Sequence, residues 1–431
     1  MFSSETVIHP PGSSPKEREL RTYRWPEEGL AVIPDWIYTS QAIYDREMES
    51  IFRGRTWNYV ALEAEIPKPG DYLRSYVGAT PVVVAREQDG SVHVFENRCA
   101  HRGVEFCRQA RGNASEFVCP YHQWSYDLSG NLQGIPFKRG VKGEKDSGMP
   151  AGFRTEDHGL CKLEVRILHG VVFATFARDM ESVETYLGAE ILKDFEVVFK
   201  DRKPRILGYY RNELPGNWKL YHENLKDPYH ATLLHSFLVT FGLMVAGNKS
   251  KMIADPSGRH GTMASAKSDD VMKAVDAETQ QQMRSFRTDL KLADRRFLEF
   301  MREFDSPWSV TMQTIWPNLI VQRELNTLGV RQIVPNGPHS MIMMWTMFGY
   351  EDDSEEMTRH RLRQGNLMGP SGFLGLEDNE AIKFLQEGVR RSPGERGVLL
   401  LGGTNEGTAD TLASEASIRA MYRNYREVMG L

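Results

Sequence analysis

Two cysteines and two histidines, set in two short clusters, constrain this chain more than any other feature. Cys99 and His101 stand in NRCAHRG, and Cys119 and His122 in CPYHQWSYDLSGNL, so the pattern runs C-x-H and then C-x-x-H. Two thiolates and two imidazoles suit either a tetrahedral zinc ion or a [2Fe-2S] cluster in which two histidines replace two cysteines on one iron. The flanking residues favour the cluster. Gly103 and Pro120 punctuate the two turns, and Trp124 and Tyr126 can shield a cluster edge from water.

A chain of 431 residues is long enough for two or three domains, each with its own core. Its net charge of −5 is spread without long basic runs, which argues against nucleic acid or an anionic membrane surface and for a small-molecule substrate. No stretch approaches the roughly 20 apolar residues of a membrane span, and MFSSETVIHPPGSSPKEREL has no signal-peptide core. The expected location is therefore the cytoplasm. In that reducing compartment the remaining Cys107 and Cys161 read as buried thiols rather than a disulfide.

Proline and small residues make the first 35 or so residues an extended arm. From about 40 to 160 the texture is that of strands, with DYLRSYV, TPVVVAR and SVHVFEN and a Gln88-Asp89-Gly90 hairpin turn, so the metal motif sits on loops of a small β domain. Beyond about 165 the chain is mixed. Strands are expected at VVFATF, ILGYYRNEL, TMQTIWPNLIVQREL, GVRQIVP and HSMIMMWTMFGYE, with a helical stretch over NWKLYHENLKDPYHATLLHSFL, which predicts an α+β domain on an antiparallel sheet. Residues 252 to about 285 are polar and read as a loop leading into a helix that ends near Phe304. IRAMYRNYREVM places Ile418, Met421, Tyr422, Tyr425 and Val428 on one helical stripe, stopped by Gly430.

A second candidate centre lies in HENLKDPYHATLLH, where His230 and His235 are five apart and Asp227 is three residues before the first. On a regular helix a spacing of five turns side chains about 140° apart, so convergence on one ion needs an edge-on geometry or a π-bulge. Alone, the pair reads more readily as two satisfied core histidines. One-electron delivery from a cluster reverses that weighting, because its standard use beside an oxygen-activating site is a 2-His-1-carboxylate iron(II) centre with open positions. Asp378 in GPSGFLGLEDNEAIKFLQ can supply the carboxylate, opening a predicted helix after a Gly-rich approach. Its neighbour Glu377 competes for that role, and helix capping competes as the role of Asp378.

The two loops reproduce the Rieske motif almost letter for letter, and N-W-K…E-N-x-x-D-x-Y-H-x4-H and the late E-D pair follow in order. The chain thus resembles the large (α) subunits of Rieske non-haem iron aromatic-ring-hydroxylating oxygenases. That resemblance implies an α+β chain: an arm over 1–40 joining the catalytic domain, a small all-β Rieske [2Fe-2S] domain over 41–162, and a catalytic domain over 163–431. The catalytic domain would carry a large antiparallel sheet flanked by helices, helix-grip-like. His230, His235 and Asp378 match the family's mononuclear Fe(II) ligands. Asp227 matches the carboxylate that, in a trimer, joins the cluster histidine of one subunit to an iron-binding histidine of the next, with His122 and His230 the joined pair. Asp227 before Pro228 also fits an N-cap followed by proline at the first helical position. Glu223 and Asn224 are expected nearby as support. Electrons would come from NAD(P)H through a separate reductase, with or without a ferredoxin, since no G-x-G-x-x-G opens a βαβ unit here. A small β subunit, in an assembly of three large and three small subunits, is also implied.

ENLKDPYHATLLHSF followed by VTFGL is most similar to the large subunits of salicylate 5-hydroxylase, anthranilate and ortho-halobenzoate dioxygenases, and the terephthalate enzyme. The substrates expected alongside O2 are aromatic carboxylic acids, salicylate-like or otherwise ortho-substituted. Burying their carboxylate requires a cation. Arg331 in GVRQIVP is the first candidate and Arg323 on the preceding strand its rival, with Gln322 and Ser371 as further polar contacts. Leu225, Leu234, Phe237, Phe241 and Ile320 are expected to line the pocket. Hydroxylation and cis-dihydroxylation stay open. The competing readings are a Rieske O-demethylase acting on a methoxy-aromatic acid and a Rieske electron-transfer protein without oxygen chemistry.

Overall fold

Period-two alternation builds the N-terminal β region around a compact aromatic core. In the computed structural model, which describes residues 22–243, 249–266, 283–392 and 394–431, strand β1 (Val32–Pro34) precedes β2 (Asn58–Leu62), β3 (Asp71–Val77), β4 (Thr80–Arg86) and β5 (Val92–Glu96). β6 (Arg111–Asn113) completes a four-stranded antiparallel sheet ordered β5-β4-β3-β6, with Gly90 at φ +88° in the β4–β5 hairpin. Three short strands, β7 (Phe117–Val118), β8 (Ser125–Tyr126) and β9 (Leu132–Gly134), form a second sheet that carries the CPYH loop. Phe95, Phe106, Phe117 and Tyr126 pack between them with Cys99 and Cys119, so the thiols belong to this core. Cys107 is buried there too, whereas Cys161, expected buried, is exposed. It lies on the connection into β10 (Glu164–Leu168), where its backbone carbonyl, rather than its side chain, is tied to the Glu96 N–H. No cysteine is disulfide-bonded.

β10 pairs with β11 (Val171–Thr175), and β11 with β2. The rest of the chain is dominated by a seven-stranded antiparallel sheet, in the order β12 (Pro204–Leu214), β18 (Met341–Tyr350), β17 (Thr327–Pro335), β16 (Leu319–Glu324), β15 (Val310–Ile315), β14 (Gly261–Ser265) and β13 (Ser250–Ala254). Its two faces are different environments. Leu319, Val321, Leu328, Val330 and Phe348 face helix α1 (Ala189–Phe199) through Phe195, Val198 and Phe199. The opposite face, with Met263, Met312 and Ile320, is covered by α2 (Trp218–Lys226) and its surroundings.

Two expectations fail in this region. Residues 250–265 form the β13–β14 hairpin rather than a loop: Met252, Ile253, Met263 and Ala264 are buried, and pairing with β15 overrides their modest local signal. The helix expected to end near Phe304 is only a 3-10 turn over Arg295–Leu298, followed by irregular chain tied through Met301 to Asn326. Residues 267–282 of that predicted loop lie outside the described residues.

The described part of the arm docks on the C-terminal region. β1 pairs with β19 (Arg396–Val398), and Tyr38 donates to Glu223 and lies 3.0 Å from the Tyr422 hydroxyl on the last helix, Ala416–Met429. Four of the five residues on the predicted stripe are buried, Val428 is exposed, and Met429 takes the inward position; Gly430 ends the helix at φ +62°. The small β region and the large sheet are joined by two amides. Gln332 Nε2 donates to the carbonyls of Tyr59 and Tyr76, and Asn318 brackets the Tyr59 peptide from both sides.

Candidate metal centres and active-site cavity

The two cysteine loops are built alike. In the first, Cys99 N donates to Val104 O and Gly103 N to Cys99 O; in the second, Cys119 N donates to Trp124 O and Gln123 N to Cys119 O. Gly103 at φ +76° and Gln123 at φ +55° occupy matching left-handed positions, the conformation in which glycine is free of strain. Both thiols are 1% exposed, while His101 is exposed and His122 half-buried, their rings 4.6 Å apart. Trp124 stacks on His101 at 6° between planes. The Tyr126 hydroxyl accepts from Ala100 N and lies 3.2 Å from Cys99 Sγ, leaving its proton to the sulfur. The donors do not converge on one point, as a tetrahedral zinc site requires; among the described residues, only His230, His235 and Asp378 group three ligand atoms within 4.8 Å. Two inner thiolates and two outer imidazoles fit a diiron cluster.

The second centre is held where α2 breaks. Asn217 caps α2, which stops at Lys226 before Pro228, and a 3-10 turn over Pro228–Thr232 leads through Leu233 and Leu234 to α3 (Ser236–Thr240). The long helix expected here is thus interrupted, and this break, not a π-bulge, solves the five-residue spacing. His230 leaves from the turn and His235 from the residue preceding α3. Asp378 comes from α4 (Phe373–Arg391), in its second turn rather than at its start, so it does not cap; Gly372 stands at the N-cap.

Asp378 Oδ1 lies 3.4 Å from His230 Nε2 and 3.3 Å from His235 Nε2. The opposite nitrogen of each ring is occupied. His230 Nδ1–H donates to Asp227, 2.6 Å to the carbonyl and 2.5 Å to Oδ1, and His235 Nδ1–H donates to Glu377 Oε2 at 2.9 Å. Carboxylates behind the rings hold each Nδ1–H and turn both Nε2 atoms toward Asp378, the arrangement that orients metal-bound histidines. Glu377, the rival ligand, therefore supports one. Asp227 does stand at the N-cap of this turn with Pro228 just inside it, but its side chain makes no capping bond and is turned to His230 instead. Asn224 Nδ2 donates to Asp378 Oδ1 at 3.1 Å. Glu223, expected beside it, is turned away by the roughly 100° between successive helical residues and is held by the Tyr38 and Tyr422 hydroxyls.

The charges are prepared for a cation. Burial disfavours a charged imidazole, but Asp227 and Asp378 override it and push His230 up to about 10; Asp378 and Glu377 likewise push His235 up to about 9. Asp378 resists protonation because the two imidazoles outweigh its burial. A cation that displaced the Nε2 protons of these two imidazoles would leave a 2-His-1-carboxylate set with an open side, which fits a mononuclear iron(II) ion.

The open side faces a cavity walled by Leu225, Leu238, Leu374, Met263 and Met312, with Glu324 and Arg331 as its charged lining. Sheet pairing explains the arginine. Arg331 pairs with Ile320 and projects to the cavity face, while Arg323 pairs with Leu328 and projects to the α1 side, where it donates to Thr311, Trp308 O and Ser306. Arg331 is 1% exposed; one nitrogen donates to Tyr221 at 2.7 Å, the guanidinium lies 3.8 Å from the Trp345 ring centre, and Nε and Nη2 have no partner among the described residues. Several expected contacts fall elsewhere. Gln322 is behind the wall, donating to Glu324 Oε2 and Met368 O; Ser371 is exposed in a surface groove beside Pro215 and Lys383. Of the predicted apolar lining only Leu225 is in place, since Phe237 packs on Phe241 and Phe373, and neither Ile320 nor Leu234 lines the cavity. Glu324 was missed because an acidic residue at a strand end ordinarily reads as surface.

Residues 56–144 match the Rieske [2Fe-2S] domain and residues 202–431 the ring hydroxylating alpha subunit (catalytic domain). The chain belongs to the ring-hydroxylating oxygenase α subunits. Within this family it is similar to the salicylate 5-hydroxylase large oxygenase component of Ralstonia sp, with 46% identity covering 94% of this chain and 96% of that one. It is 43% identical to the anthranilate 1,2-dioxygenase large subunit of Burkholderia cepacia over 94% and 95% of the two chains. Naphthalene 1,2-dioxygenase of Rhodococcus sp. bound to indole shares the fold, with a TM-score of 0.76, 22% identity and coverage of 96% and 98%. As an α subunit of this family the chain carries a Rieske cluster and a mononuclear iron. No helix among its described residues is long and apolar enough to cross a membrane.

Proposed function

We propose that the protein is the terminal oxygenase α subunit for a small aromatic carboxylic acid, salicylate-like or another ortho-substituted benzoate. The observation that carries this is the buried, half-unpaired Arg331 in the apolar cavity beside the iron triad. Its Nε and Nη2 would receive the carboxylate, which could not enter such a site without a cation. The leucine and methionine walls take the ring and keep water out. The salicylate and anthranilate relatives are named for acids of this kind.

Cys99, His101, Cys119 and His122 would hold the cluster, and His230, His235 and Asp378 the ferrous ion. When bound, these centres supply electrons one at a time and activate O2 beside the ring. Asp227 keeps His230 in its metal-binding tautomer, and about a quarter of its side chain remains exposed, free to meet a cluster histidine from a neighbouring subunit. That contact would make the trimer the active unit. NAD(P)H would feed a separate reductase, with or without a ferredoxin, and a small β subunit would complete an assembly of three large and three small subunits.

Product analysis with a reconstituted reductase on salicylate, anthranilate, 2-chlorobenzoate, benzoate and terephthalate tests this reading. An oxygenated product from at least one acid is expected, and turnover of neutral arenes alone would overturn it.

A further inference from the structure

The cavity is lined by an arginine, Arg331, and a glutamate, Glu324, both buried, that no direct ion pair joins among the described residues, although the Arg331 charge acts on the Glu324 carboxyl against its burial. The sheet keeps them apart. Arg331 stands opposite Ile320, four residues before Glu324 on β16, which at ~3.3 Å per residue offsets the two backbones by about 13 Å along the strand direction. Each is held by its own neighbour: Tyr221 binds Arg331, and the Gln322 amide, anchored on Met368 O, binds Glu324 Oε2 at 2.9 Å. Neither neighbour carries a charge. An apolar-walled cavity in which a cation and a carboxyl are each bound only by a neutral neighbour is best satisfied by one ligand complementary to both.

We infer that Glu324 selects aromatic acids bearing a hydrogen-bond donor, an amino or hydroxyl group on the ring, against acids bearing a second carboxylate or no polar substituent. Arg331 takes the carboxylate, and Glu324 Oε1 accepts from the donor. A second anionic group would face the Glu324 carboxyl between apolar walls, and a plain ring would leave Glu324 Oε1 without a donor. Gln322 is the positioning residue that aims it. The inference rests on the aromatic-acid reading above and narrows it to one chemical class.

Calorimetric binding to the intact oxygenase tests it, using benzoate, its amino and hydroxy derivatives at each ring position, and terephthalate. At least one amino- or hydroxybenzoate is expected to bind about tenfold or more tighter than benzoate, and terephthalate weaker than benzoate. E324L should erase the donor preference, bringing benzoate and its amino and hydroxy derivatives to within a few fold of one another. E324Q keeps an acceptor of the same shape, so it should retain most of the donor preference while relieving the penalty on terephthalate, and it covers the case in which the leucine variant fails to fold. Benzoate binding as tightly as every donor-bearing acid, or a ranking unchanged in E324Q, would overturn the selection by Glu324 and leave the aromatic-acid reading standing. If no aromatic acid binds, the aromatic-acid reading fails, and this inference with it.

Discussion

Asp227 Oδ1 lies 2.5 Å from His230 Nδ1, on the side of the imidazole opposite Asp378. The carboxylate therefore sits behind the histidine, away from Asp378 and partly at the surface, where it can fix the ring without entering the candidate metal site.

Replacing Asp227 by Asn keeps an acceptor for His230 Nδ1–H but removes the charge. Iron content and the cluster's absorption spectrum should be unchanged, while turnover with the reductase falls by at least a hundredfold. Turnover within a few fold of the parent would show that Asp227 is no bridge.

On the proposed assignment the triad holds one iron and the cluster two. His235→Ala or Asp378→Ala should lower bound iron from about three to about two per chain with the cluster spectrum intact. Glu377→Gln, which alters only the support behind His235, should retain the third iron with affinity reduced by about 10- to 100-fold. Full loading of D378A would place the ligand elsewhere.

Arg331→Met preserves length and apolar packing against Trp345 while removing the cation. The KM for aromatic acids should rise by two orders of magnitude or more, with KM for a neutral arene changed far less. An equal effect on both would mean that Arg331 shapes the cavity without reading the carboxylate.

Burial is the foremost force on Glu223, and together with the Asp227 charge it pushes the carboxyl up to about 7 from 4.5 against the Tyr422, Tyr38 and Lys219 contacts. Its folded pKa is above its unfolded one, so the folded state holds the extra proton. This contribution is fully present below pH 4.5 and is lost as pH rises to 7, a span worth about 3 kcal/mol. Glu223→Gln should flatten that part of the stability-versus-pH curve, read from thermal melts between pH 5 and 8. A parallel curve would remove Glu223 from the titration.

Lys219 and Glu47 form a fully buried pair, Nζ to Oε1 2.6 Å, joined by Trp218 Nε1, the Tyr425 hydroxyl and Asn217 Oδ1. Glu47→Ala would strand the ammonium and should cost about 3–5 kcal/mol, whereas the double change to Met at both positions should cost much less. Denaturant unfolding of the single and double variants separates the two.

Much of the site was legible because its donors travel in short segments. The spacing in C-x-H and C-x-x-H, with Gly103 at a turn, is a local property, and the two loops have the matched geometry that such spacing allows. The strands from Thr311 to Tyr350 were legible for the same reason, their alternation and β-branched content being stronger than any competing pattern. Local signals failed where long-range pairing decided. Met252 to Ser265 reads as polar loop until β15 offers a partner, and His230 with His235 reads as an ill-spaced helical pair until Pro228 and the 3-10 turn break the helix.

The sequence by itself determined the Cys/His spacing, the strands of the central sheet from Thr311 to Tyr350 and the family. Only the tertiary structure decided which neighbour does which task. Asp378 rather than Glu377 faces the two Nε2 atoms because successive helical residues point about 100° apart. Arg331 rather than Arg323 enters the cavity because register on a pleated sheet sends alternate residues to opposite faces. Glu324 joins it there because that register brings a strand end over the iron site, a juxtaposition that no spacing along the chain encodes.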